Sequence, residues 1–122
     1  LARRAAREGA NLLVSITNDS WAGESAELAQ HFAMTRLRAV ETRRTVVCSA
    51  TTGITGIVRP DGSARTFPPY ESGLVIGEAP LRTETTLYSR AGDWLVLLCA
   101  LRGAWLLRPR RHARSGISKP LR

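Results

Sequence analysis

Few side chains in this sequence are of types that do covalent or proton-transfer chemistry. Cys48 and Cys99 lie in two separate apolar runs, without CxxC or Cys/His spacing, so neither points to a metal centre. A disulfide between them has no support from spacing. Both read as small apolar residues, the usual behaviour of unreactive cysteine. His31 is of the right type for a general base. A lone histidine beside Phe32 in a helical pattern is more often a hydrogen-bonded structural residue. Glu41 with Arg38 or Arg44 suits an ion pair on a helix face, worth about 0.2–0.5 kcal/mol. Thr51 and Thr52 precede Gly53, and the turn there is sufficient to account for them.

Those residues need elements to hold them. Asn11 to Ile16 is a short apolar run that suits a buried strand. Thr17 to Gly23 breaks the pattern with turn-forming residues and one aromatic, Trp21. Ser25 is placed to cap a helix over Ala26 to Arg44, in which Ala29, Phe32, Ala33, Leu37 and Val40 recur at helical spacing. Thr45 to Ala50 is β-branched and reads as a second strand. A third runs from Ile54 to Arg59. Pro60-Asp61-Gly62 then makes a tight turn, with Pro presetting one φ and Gly accepting a positive one. Ala64 to Phe67 returns as the other arm of a hairpin, and Leu74 to Gly77 is expected as one more short strand. This order predicts an α/β (α+β) sheet with at least one helix packed on it.

The final third differs. Trp94 to Leu101 is continuously apolar, and the run resumes from Gly103 to Leu107 after Arg102. A spanning helix needs about 20 apolar residues. The residues alone leave a transmembrane helix and an amphipathic or buried helix both open. Trp94 and Trp105 flank the run as interface anchors do, and a basic block follows.

The chain has 122 residues, 43% of them hydrophobic, enough for a packed core. Its formal net charge of +8 invites a nucleic-acid reading. However, Arg108, Arg110, Arg111, Arg114, Lys119 and Arg122 crowd the residues after the apolar run. That placement suits a membrane orientation signal better than a groove reader, so no nucleic-acid partner is expected. The chain begins at Leu1, on what reads as the end of a basic helix. Its start is expected to be a cut through a longer protein.

Residues Gly9 to Gly23, with Thr17-Asn18-Asp19-Ser20-Trp21-Ala22-Gly23 at their end, resemble the carbon–nitrogen hydrolase (nitrilase) superfamily. More narrowly they resemble its apolipoprotein N-acyltransferase branch, whose pattern here is TND(A/S)WFG; this chain has Ala22 where that branch has Phe. Gln30-His31, Met34, Arg36, Arg38-Ala39, Glu41, Thr52 to Thr55, Arg59 to Gly62 and Leu87 to Trp94 continue the likeness in order. It covers about residues 1 to 111.

The resemblance implies the C-terminal part of a nitrilase-like αββα sandwich over residues 1–87. A C-terminal transmembrane helix with its approach would follow over 88–109, then a basic cytoplasmic tail over 110–122. It implies a Glu–Lys–Cys triad of base, oxyanion stabiliser and acylated nucleophile, expected upstream of residue 1. No catalytic residue is therefore assigned here, and Cys48 and Lys119 are not candidates. Asn18, Asp19, Trp21, His31 and Thr52 are implied to form a wall of the substrate site. The implied reaction moves an acyl chain from a phospholipid to the N-terminal amine of a diacylglyceryl lipoprotein, with no cofactor and no metal. The implied place is the bacterial inner membrane, with the globular part extracytoplasmic.

Overall fold

A computed structural model describes residues 1–107, and the chain divides into a globular unit, Leu1–Gly92, and a second unit beginning at Asp93. The globular unit opens with helix α1 (Ala2–Arg7) and strand β1 (Leu12–Asn18). A single 3-10 turn, Ser20–Ala22, leads to helix α2 (Glu27–Thr42). Strands β2 (Thr45–Thr51), β3 (Thr55–Val58) and β4 (Ala64–Phe67) complete one sheet in the order β1-β2-β3-β4. β1 and β2 run parallel, pairing Leu12 with Thr45 through Asn18 with Thr51. A parallel pair requires a crossover, and α2 is that crossover. β3 and β4 are antiparallel additions.

The helix forms where its apolar periodicity predicts. It ends at Arg43, which takes a left-handed conformation (φ 53°) and donates its backbone N–H to the Val40 carbonyl. Ser25 accepts the Glu27 N–H at 3.3 Å, one turn-start earlier than the helix proper. One face of α2 packs on one face of the sheet: Ala39, Val46 and Val58 are buried together, with Leu13 and Phe32 against them. Full burial of each valine side chain contributes about 1.5–3 kcal/mol. On the other sheet face Val14 and Ile16 remain exposed.

The hairpin is as expected. Gly62 has φ +85°, its N–H reaches the Arg59 carbonyl at 2.9 Å, and the Arg59 N–H reaches Ser63 at 2.8 Å.

One expectation requires correction. Leu74 to Gly77 is not a strand: residues 68–86 carry no regular structure. Instead of a ladder, this segment is pinned by single contacts. Arg82 N–H donates to the Asn11 carbonyl, Thr45 Oγ1 to the Pro80 carbonyl (2.7 Å), and Arg44 Nη1 to the Glu84 carbonyl (2.6 Å). Unpaired with any strand, Leu74 and Ile76 stay exposed.

The span expected over 88–109 is not one helix within the described residues. Its approach belongs to a separate short helix α3 (Leu87–Ala91) in the globular unit, capped by Thr86, which accepts the Ser89 N–H at 3.0 Å. Gly92, at φ +65°, breaks the chain before helix α4 (Trp94–Leu106) begins. α4 has 13 residues, about 20 Å at 1.5 Å per residue, against a hydrocarbon core of about 30 Å. Among the described residues no helix is long and apolar enough to cross a membrane. The end of the expected span and the 110–122 tail lie outside the described residues.

Candidate functional site

The candidate site gathers where the parallel pair ends. β1 finishes at Asn18 and β2 at Thr51, register partners, so the segments that follow them lie side by side. The Asp19 N–H donates to the Thr51 carbonyl at 3.2 Å and ties the two ends together. Asn18 Oδ1 accepts the Ser20 N–H at 3.1 Å. That side-chain turn starts the 3-10 turn which projects Trp21 into solvent, 69% exposed.

Asp19 points inward and is 3% exposed. A carboxylate so placed requires donors. Thr17 Oγ1 donates to its Oδ1 at 2.9 Å, and His31 Nδ1, from α2, stands 3.0 Å from the same oxygen. His31 is only half-buried and brings a ring nitrogen within hydrogen-bond distance of the carboxylate. Gly53 lies against the other oxygen, Oδ2, where a Cβ would collide with it. The carboxylate also acts at a distance. Burial pushes the Cys48 thiol up, the Asp19 charge adds to that, and a hydrogen bond with Thr35 opposes both. Cys48 is thus a buried, protonated thiol, unsuited to nucleophilic attack.

Thr52 carries backbone strain beside this pair. Its φ is 61°, a left-handed conformation that costs a β-branched residue about 1–2 kcal/mol. The strain is held by two contacts: the Thr52 carbonyl accepts the Tyr70 N–H at 3.3 Å, and Thr52 Oγ1 donates to the Thr51 carbonyl at 2.6 Å.

Of the five residues expected at the site, Asp19 and His31 touch, Asn18 shapes the turn between them, and Thr52 sits one bond beyond Asp19's partner Thr51. Trp21 shares the turn but points away into solvent. Thr17, Gly53 and Tyr70 join the cluster without having been expected. Thr17 alternates with apolar neighbours on β1, and Gly53 follows two threonines; both carried a weak signal that strand and turn readings absorbed. Elsewhere Glu41 pairs with Arg38 (2.6 Å) and not with Arg44. No group of three or more His, Cys, Asp or Glu stands close enough to hold a metal among the described residues.

Residues 1–90 match the carbon-nitrogen hydrolase family. The chain belongs to that family. The mixed sheet and its covering helices fit a nitrilase-like fold. Several similar proteins are named apolipoprotein N-acyltransferase. The one from Geobacter metallireducens is 41% identical over 100 residues, covering 81% of this chain and 19% of that protein. The one from Bdellovibrio bacteriovorus is 37% identical over 118 residues, 93% of this chain and 21% of that protein. Apolipoprotein N-acyltransferase 2 of Treponema pallidum is 35% identical over 96 residues, 77% and 17% respectively. The chain thus spans about a fifth of the length of the relatives it matches.

Proposed function

We propose that these residues are the C-terminal part of an apolipoprotein N-acyltransferase, which moves an acyl chain from a phospholipid to the N-terminal amine of a diacylglyceryl lipoprotein. The observation that carries this reading is the Asn18–Trp21 turn, anchored through buried Asp19 to His31, in a chain up to 41% identical to proteins of that name. The acylated cysteine, its glutamate base and its lysine lie in the remainder of such a protein. Alone, residues 1–122 are inactive in acyl transfer.

In this reading Asn18, Asp19, His31 and Thr52 form a rigid wall beside the nucleophile. Rigid placement matters because acyl transfer gains most from preorganised groups. Trp21, exposed and aromatic, is placed to meet acyl chain. The globular unit sits outside the inner membrane and the basic tail on the cytoplasmic side, as Lys and Arg favour. α4 supports the membrane part. None of its residues is buried, and Leu95, Val96, Leu97, Leu98, Leu101 and Trp105 are each more than half exposed. An apolar helix of that kind calls for a lipid surround, which a soluble amidase of the same family would not need.

The test is acyl transfer by the protein expressed from its whole reading frame. Membranes holding it are mixed with phospholipid and a diacylglyceryl lipopeptide, and the N-acylated product is sought by mass spectrometry. The expected result is a membrane-bound protein several times the 13.3 kDa of this chain and an N-acylated product. A reading frame of only these residues, or a full-length protein that makes no such product, would overturn the proposal.

A further inference from the structure

Helix α4 sorts its residue types onto two faces. Cys99, Ala100 and Gly103, with Val96 before them, recur at helical spacing and form one stripe. Small residues let a second helix approach closely in lipid, so this stripe suits packing against another helix. Leu98, Leu101, Arg102 and Trp105 have the same spacing and lie on the opposite face, where they line one shallow groove. Arg102 is exposed, and Leu98, Leu101 and Trp105 are each more than half exposed, so the groove is open along its length. Arg102 is the one charge within Trp94–Leu106 and makes no ion pair among the described residues. A guanidinium on an apolar helix is costly in lipid unless it reaches water or an anion. The nearby sequence offers no carboxylate to meet it: from Trp94 to Arg122 there is no Asp or Glu, only further basic residues.

We propose that this groove binds an anionic phospholipid, its phosphate on Arg102 and one acyl chain along Leu98 and Leu101 beside Trp105. A guanidinium meets phosphate through paired, charge-assisted hydrogen bonds. An indole suits the boundary between acyl chain and headgroup. Net charge then selects among phospholipids. A zwitterionic headgroup brings a cation that no acidic residue from Trp94 onward can accept, whereas an anionic headgroup brings none. The site rests on the membrane placement of α4 proposed above. In that placement Arg102 faces the leaflet of the basic tail, so the bound lipid holds the helix in place and is not consumed as acyl donor.

Leu106, exposed and one helical turn beyond Arg102, neighbours the groove without lining it. In the test, Leu106 of the whole-reading-frame protein is replaced by photoreactive p-benzoylphenylalanine. The protein is reconstituted into vesicles of equal parts phosphatidylglycerol and phosphatidylcholine and irradiated, and its lipid adducts are counted by mass spectrometry. Phosphatidylglycerol adducts should exceed phosphatidylcholine adducts at least about fivefold, the preference that one arginine near the surface supplies. Arg102→Gln should lower that ratio about fivefold. Equal adducts of the two lipids, or a ratio that Arg102→Gln leaves unchanged, would overturn the site. Absence of any lipid adduct would overturn the membrane placement of α4, and the site with it. Should Arg102→Gln not accumulate, the tail is neutralised instead, with Arg108→Gln, Arg110→Gln, Arg111→Gln and Arg114→Gln combined. Arg102 should then keep the ratio at about fivefold, and a ratio of about one would assign the preference to the tail and overturn the site.

Discussion

Gly53 touches the carboxylate of Asp19 so closely that no larger residue fits between them without displacing one or the other. A Cβ on residue 53 would also stand 2.8 Å from the Ala50 Cβ, inside van der Waals contact. Both neighbours are held, Ala50 by the β1–β2 ladder and Asp19 by Thr17 and His31.

Gly53→Ala should therefore destabilise the protein by about 1–3 kcal/mol, the usual cost of overpacking a tight site. Urea denaturation measures this directly. A change below about 0.5 kcal/mol would mean that the bend shifts freely and does not hold the Asp19 oxygen.

Arg44 is the largest fully buried side chain, 1% exposed, and it faces carbonyls rather than a carboxylate. Its Nε donates to Ala10 (2.6 Å), and Nη1 donates to Thr42 (3.2 Å), Arg43 (3.3 Å) and Glu84 (2.6 Å). One planar fork thereby joins the end of α2, the start of β1 and the irregular 68–86 segment. Arg44→Met removes the donors and leaves buried acceptors unmet, a cost of at least about 2 kcal/mol. Arg44→Lys should recover only part of it, because one ammonium cannot reach Ala10 and Glu84 together. Equal stability of the two variants would contradict this account.

Burial and the Asp19 charge both raise the Cys48 thiol above its ordinary value, and Thr35 offsets them only in part. The fold thus favours the neutral thiol. The resulting stability is fully present below the unfolded thiol's pKa, about 8.5, and is lost as pH rises through the higher folded value. Relative to Cys48→Ala, the native protein should lose stability above about pH 8.5 and not below it. N-ethylmaleimide should leave Cys48 unmodified until denaturant is added. Rapid labelling of Cys48 in the folded protein at neutral pH would show that the thiol is neither buried nor raised.

Much of the fold was legible because it is local. Period-two and helical apolar patterns located β1, α2 and β2, and Pro60-Asp61-Gly62 located the hairpin, since each depends on residues a few positions apart. Leu74 to Gly77 misled because a β-branched apolar run names a strand only where a ladder forms, and this segment lies beside Ile57 and Phe67 without pairing with their strands. The site was legible as residue types and not as contacts. Asp19 and His31 are separated by the whole Ser20–Ala22 turn and the start of α2, so their meeting depends on the packing of α2 on the sheet. His31 suits a hydrogen-bonded structural residue from its sequence setting, but its partner, the Asp19 carboxylate, is visible only in the fold. Helix-face spacing offered Glu41 either Arg38 or Arg44; Arg38 takes it, because the chain leaves the helix at Arg43 and turns the Arg44 guanidinium inward.

The apolar helix gives the last prediction. Its 13 residues make about 20 Å, and in sequence Leu107 is followed by Arg108 and Pro109. Among the described residues, then, a bilayer would be met by a short helix, with charge following it in sequence. Such a helix is accommodated by local thinning and by arginines reaching the headgroups. If α4 enters the hydrocarbon, Leu98→Arg places a charge near its middle at a cost of about 2.5–3.5 kcal/mol. Alkaline carbonate should then extract the variant from membranes more readily than the unmodified protein. Cys99, exposed in the helix itself, supplies an independent reading. It should resist a membrane-impermeant maleimide in intact membranes and react once detergent is added. Prompt labelling without detergent, together with unchanged extraction of Leu98→Arg, would place the helix in water and remove the membrane from the proposed function.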